Sequence, residues 1–151
     1  MLPRARSRRL AAAAGVVVAA VSLAACDKPV QSITAQAGST ALTIKPSTYC
    51  ADGTHCRDFK VEVPVLTVAP DAKVLIDVPK KLVDRGWAIN VVDPSTNKSI
   101  VSGAVGDSHS YRLSASINNN AQFVVQVLQL NGTKPDGSLW SFAVRPSGAK
   151  T

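Results

Sequence analysis

Short runs of alternating or β-branched residues, separated by Gly, Pro, Asn and Asp, recur along the chain from residue 32 to residue 145. Such runs, spaced about ten residues apart, are typical of an all-β sandwich or barrel. No apolar pattern with the 3.6-residue period of an amphipathic helix persists for a dozen residues. The sequence therefore predicts an all-β domain.

The runs predict about eight strands, or nine if the segment interrupted by Pro64 is counted, because proline restricts a strand to a sheet edge or ends it. They lie at 32–37, 40–46, 60–68, 73–78, 87–93, 99–105, 110–114, 122–130 and 139–145. The side chains expected to face the core are Trp87, Ile89, Val91, Tyr111, Leu113, Phe123, Val125, Val127, Trp140, Phe142 and Val144. The position of Trp140 stays open, since a residue on the last strand can also face solvent.

The C-terminal half resembles the last three strands of a fibronectin type III domain. Tyr111-Arg112-Leu113 and Phe123 to Val127 are followed by a glycine-containing hairpin and then by Trp140-Ser141-Phe142. We therefore expect a two-sheet immunoglobulin-like or fibronectin type III-like sandwich.

The N-terminal 25 residues have the three parts of a bacterial signal peptide: four arginines, an apolar run from Leu10 to Ala25, and small residues before Cys26. Leu23-Ala24-Ala25-Cys26 resembles a lipobox, in which the cysteine thiol receives a diacylglyceryl group. We expect residues 1–25 to be a cleaved lipoprotein signal peptide and Cys26 to be lipidated and anchored to the cell membrane from the extracytoplasmic side. An uncleaved anchor or a buried helix is the alternative, and Ser7-Arg8-Arg9-Leu10 leaves the export route open.

These boundaries predict a short tether at 26–32, a β-sandwich domain at 33–145 and a C-terminal tail at 146–151. Without the signal peptide the chain has thirteen basic and ten acidic residues, a net charge of about +3. No cluster of basic residues resembles a nucleic-acid footprint. The densest basic patch, Lys80-Lys81 with Arg85, is interpreted as a solvated loop, with contact to anionic lipids or wall polymers as the alternative.

Cys50 and Cys56 remain once Cys26 is lipidated. In an oxidising compartment a close pair of cysteines is expected to form a disulfide. A metal or redox site that includes His55 is the alternative, but the spacing is not the C-x2-C of zinc or redox sites. We expect no metal and no cofactor.

Gly106-Asp107-Ser108-His109-Ser110 superficially resembles a nucleophile elbow. Such an elbow needs a strand-to-helix turn with glycine two residues after the serine. Here Ser110 occupies that position and strand patterns flank both sides, so a polar hairpin turn is expected. The chain has two histidines and one glutamate, Glu62, and therefore few general acids or bases. We expect no catalytic residues and no enzymatic activity.

The whole arrangement resembles the small actinobacterial lipoproteins grouped as domain of unknown function 2771. The resemblance rests on Cys26, the early hairpin followed by Tyr49-Cys50 and Cys56, the short Val74 to Pro79 stretch that ends in valine-proline, Gly86-Trp87 opening a strand, and the late Tyr111 and Trp140 strands. It implies a lipoprotein location and a related fold, but no activity.

The leading functional hypothesis is a non-enzymatic envelope module that binds a protein or a wall component. The alternative is a carrier of a small ligand or lipid. An exposed apolar patch would favour the first, and an apolar pocket of several hundred cubic ångströms would favour the second.

Overall fold

The computed structural model describes residues 29–149, which form two β-sheets packed on one hydrophobic core. The first sheet contains, in spatial order, β2 (Thr40–Ile44), β1 (Ile33–Ala37), β6 (Lys73–Asp77) and β9 (Ser110–Ser114). The second contains β4 (Cys56–Asp58), β3 (Pro46–Cys50), β11 (Lys134–Pro146), β10 (Phe123–Asn131), β7 (Trp87–Asp93) and β8 (Lys98–Ala104). A further strand, β5 (Val65–Val68), pairs with β11 in parallel, whereas the other pairings are antiparallel.

The core lies between the two sheets and is filled by side chains from both. Its largest fully buried members include Trp87, Trp140, Phe123 and Phe142. The expected inward faces are confirmed, except that Tyr111 is half-buried against the core rather than enclosed by it. The structure is thus an all-β sandwich, as the alternation of apolar residues predicts.

Trp140, whose direction the sequence left open, points into the core with no exposed surface. Its indole N–H donates to the backbone carbonyl of Gln31 at 2.9 Å. Tyr49 packs edge-on against the indole, with ring centroids 6.1 Å apart. Burial of a tryptophan requires a partner for its N–H, and the segment that leads into β1 supplies it.

The number of strands is higher than predicted, because the described residues contain eleven. β3 and β4 were not expected, since both are short and their sequences are largely polar. The basic patch predicted as a loop forms a short helix, α1 (Lys80–Arg85), and a 3-10 helix spans Ala115–Asn118.

The strand predicted at 60–68 begins only at Val65. Pro64 has no N–H to offer a neighbouring strand, but its carbonyl accepts from the N–H of Ala143 at 2.8 Å, where pairing with β11 starts. Proline therefore sets the beginning of β5. Val61 and Val63 precede this strand and stay exposed.

Candidate functional site

A polar cleft of about 230 Å³ opens beside the β10–β11 turn. Three elements form it: the loop that follows Cys50, the end of α1, and the turn between the two longest strands. We call this site the polar cleft; its lining residues are Asp52, Gly53, Arg85, Leu130, Asn131, Gly132 and Asp136.

Asp136 is the most deeply buried charged group of the polar cleft, with its side chain 1 % exposed. Its carboxylate accepts hydrogen bonds from the backbone N–H of Ser138, at 2.8 Å, and from the side-chain amide of Gln129. The guanidinium of Arg85 lies 3.7 Å away. A buried carboxylate is costly without such partners, and here all three are provided.

Arg85 also connects two elements that are distant in the sequence. Its guanidinium donates to the backbone carbonyl of Ala51 at 2.8 Å. On the other side of the same loop, the N–H of Cys50 donates to the hydroxyl of Ser138 at 2.9 Å. The helix, the disulfide loop and the β10–β11 turn are thereby held together around the polar cleft.

Gln129 lies behind the wall of the polar cleft and has no exposed surface. Donation to Asp136 fixes the orientation of its amide. The opposite atom, Oε1, has no hydrogen-bond partner among the residues that the structure describes. An unpaired buried acceptor costs stability, so the network around Asp136 is incomplete on this side.

The predicted disulfide between Cys50 and Cys56 is confirmed. Both sulfurs are used in that bond, so neither is a thiolate that could bind a metal. His55, the third residue of the alternative metal site, instead bonds through Nδ1 to the carboxylate of Asp52 at 2.7 Å.

Asp52 organises the turn inside the disulfide loop. Its carboxylate accepts from the backbone N–H groups of His55 and Thr54, at 2.8 and 3.0 Å. These bonds favour the charged form, and the backbone N–H of His55 is the largest cause that lowers the pKa of Asp52 below its ordinary value.

The segment from Gly106 to Ser110 is a polar turn, but it is not the hairpin that the sequence suggested. It connects β8 in the second sheet to β9 in the first. The hydroxyl of Ser108 donates to the carbonyl of Ser110 at 2.7 Å, which occupies it within its own turn. The exposed His109 follows in the same turn.

The basic patch is divided among different partners. Lys80 pairs with Asp84 one helical turn away at 2.6 Å, Lys81 donates to the hydroxyl of Tyr49 at 3.2 Å, and Arg85 belongs to the polar cleft. Lys81 and Arg85 thereby link α1 to β3 and to the loop that follows it, whereas Lys80 pairs within the helix.

A second, apolar feature lies at the other end of β11. Val61, Val63 and Val65 are 36 %, 51 % and 41 % exposed, and they are the large hydrophobic residues found exposed in the described part of the chain. We call these three residues the valine surface. Beside it, a groove of about 260 Å³ is lined by Val30, Ser32, Lys45, Pro46, Phe59 and Val61.

The polar cleft and the valine surface are separated along one strand. Asp136 stands near the start of β11, whereas Ala143, which pairs with Val65, stands near its end. Between them β11 contains a bulge at 136–138, and its extended part from Leu139 to Ala143 spans roughly 13 Å. The two surfaces can therefore contact different partners at the same time.

The signal peptide, its lipobox and Cys26 lie outside the described residues. Within residues 29–149, the helices are too short and too polar to cross a bilayer.

A sequence model of a family described as a protein of unknown function, DUF2771, matches residues 26–133. The chain belongs to this family. The match begins at Cys26 and ends in the turn before β11. No curated protein and no solved structure matches the chain significantly.

Proposed function

We propose that the protein is a lipoprotein tethered through Cys26 to the extracytoplasmic face of the cell membrane, and that it is a non-enzymatic binding module of the envelope. The disulfide between Cys50 and Cys56 supports an oxidising compartment. The lipobox pattern Leu23-Ala24-Ala25-Cys26 supports the anchor.

We also infer that the sandwich is a variant of the immunoglobulin-like fold. β1, β6 and β9 lie in one sheet, while β7, β10 and β11 lie in the other. The chain thus changes sheet between β6 and β7, between β8 and β9, and again between β9 and β10, as in immunoglobulin-like domains. Loops at the ends of such sandwiches commonly carry binding sites.

The arrangement of surfaces along β11 is the observation that carries the proposal. The described chain begins at the groove beside the valine surface, where Val30 is one of the lining residues. The polar cleft lies at the opposite end of β11. An anchor on Cys26 therefore leaves the polar cleft free to contact a wall component or an envelope protein.

The chemistry of the polar cleft suits a polar partner. It presents the carboxylate of Asp52, the partly exposed guanidinium of Arg85 and the amide of Asn131. Such groups provide both donors and acceptors. The bond from Ser108 to Ser110 supports a structural role for the turn that resembled a nucleophile elbow.

Two measurements test the proposal in cells. Cys26→Ser should abolish lipidation, which mass spectrometry of the N-terminal peptide and membrane fractionation will show. A photoreactive residue at exposed Asn131 should capture a protein or wall fragment, whereas one at Ser39, in the exposed β1–β2 turn, should not. A mature wild-type chain without lipid would overturn the anchor, and equal capture at both positions would overturn the role of the polar cleft.

A further inference from the structure

The valine surface has the regular spacing of an extended chain. Val61, Val63 and Val65 are two residues apart, so in an extended segment they share one face. Leu66 and Val68, of the opposite parity, are buried in the core. Within β5 the segment thus has one face in the protein and one in solvent, whereas before Pro64 both Glu62 and the valines beside it are exposed.

The valine surface lies next to the point where the described chain begins. Val30 and Val61 line the same groove, and the ring of Phe59 forms another part of its wall. Cys26 is four residues before Val30, a span of at most about 14 Å when fully extended. If Cys26 carries acyl chains, the bilayer surface is within that distance of the groove.

The charges around the valine surface are few and mixed. Exposed Lys45 and Lys60 flank it, the guanidinium of Arg57 lies 5.7 Å from the centre of the Phe59 ring, and exposed Glu62 interrupts it. This composition suits the boundary between headgroups and acyl chains, where apolar side chains are buried and charged ones reach water. It does not suit a contact dominated by electrostatic attraction.

We propose that the valine surface lies against the bilayer that holds the lipid on Cys26, and so orients the sandwich on the membrane. This inference rests on the proposed anchor. The bilayer is the favoured occupant because the short tether brings acyl chains to this surface in particular. With the valine surface on the membrane, β11 leads away from the contact toward the polar cleft.

Photocrosslinking of the lipidated full-length protein in vesicles of phosphatidylcholine and phosphatidylglycerol tests the contact. A diazirine residue at position 63 should give phospholipid adducts in several-fold higher yield than one at position 131. Because the contact is mainly apolar, the adduct yield should change little at high salt. Adducts only to a second copy of the chain, or equal phospholipid yields at the two positions, would overturn the proposal.

Hydrogen exchange on the same vesicles supplies an independent measurement. The amides of Val61, Glu62, Val63 and Val65 should be more protected when vesicles are present, and the double change Val61→Ser and Val63→Ser should remove this protection. Val101→Ser, at a half-buried valine of the mostly exposed strand β8, is the control and should leave it unchanged. An intact disulfide and an unchanged melting temperature verify that the double variant is folded.

The outcomes separate this inference from the proposed function. Lipidated Cys26 with no phospholipid adduct at position 63 would overturn the membrane contact alone. An unlipidated mature chain would overturn the anchor itself.

Discussion

The indole N–H of Trp87 donates to the backbone carbonyl of Ser108 at 2.8 Å. The bond joins the start of β7 to the turn that carries the chain from one sheet to the other. Its acceptor is a main-chain atom, so the side chain at position 108 is not needed for it. The serine that resembles a nucleophile therefore contributes to the core through its backbone.

Trp87→Ala should lower the free energy of unfolding by about 3 to 5 kcal/mol, because it removes a fully buried aromatic ring and leaves a cavity. Ser108→Ala and His109→Ala should each change it by only a few tenths of a kcal/mol, since both side chains are exposed. Urea denaturation of the three variants measures these differences. A wild-type stability for Trp87→Ala would contradict the assignment of this residue to the core.

Removal of the disulfide should destabilise the domain by about 2 kcal/mol, as expected for opening a short loop in the unfolded chain. The double variant Cys50→Ser and Cys56→Ser, or the wild type in reductant, can be compared by chemical denaturation. Alkylation of the native protein should detect neither thiol. Free thiols at these two positions would show that the bond does not form in the cell.

Gly137→Ala should destabilise the fold by about 1 to 3 kcal/mol. Gly137 has φ +102°, and a Cβ there would lie 3.1 Å from the sulfur of Cys50. Gly103→Ala is the matched control, since its Cβ would meet no atom within 4 Å. Thermal melts of both variants, with the disulfide intact, test the difference. Equal melting temperatures would show that the contact with the sulfur is easily relieved.

Asp136→Ala should cost about 2 to 4 kcal/mol, because it leaves Gln129 and Arg85 without their carboxylate partner in a buried network. Asp84→Ala makes the same change at an exposed carboxylate that pairs with Lys80, and it should cost less than about 1 kcal/mol. Guanidinium denaturation compares the two. A small effect of Asp136→Ala would mean that the network contributes little to the stability of the polar cleft.

Asp52 should keep its charge as the pH falls through the ordinary carboxyl range. Bonds from His55 and Thr54 lower the pKa of Asp52 below its ordinary value of 3.8. A lowered pKa means that the turn stabilises the protein fully above the ordinary pKa and loses this contribution as the pH falls further. A carboxyl-carbon NMR titration should give a midpoint below 3.8. A midpoint at or above that value would contradict the hydrogen bonding in the turn.

The strands that could be predicted are those whose own side chains define a face. β7 and β9 have the predicted bounds, Trp87–Asp93 and Ser110–Ser114, because apolar and polar residues alternate along them. β3 exists through its pairing with β11, some ninety residues away in the sequence. A polar sequence such as Pro-Ser-Thr-Tyr-Cys contains no local signal for that partner.

The sequence does not predict the polar cleft for a similar reason, although the position of Gln129 in β10 indicates a buried polar contact nearby. Phe123, Val125 and Val127 face the core, and Gln129 occupies the next inward position of the same strand. A glutamine at such a position requires a buried polar partner. The identity of that partner, Asp136, depends on how the chain returns after the turn, which the sequence pattern does not determine.

The position of β11 determines when the domain can be completed. β11 is the last strand of residues 29–149, yet β3, β5 and β10 all pair with it. A nascent chain that stops before Lys134 lacks the strand that joins these three. The second sheet therefore closes only after β11 has emerged, and until then its unpaired strand edges and apolar faces are exposed to aggregation.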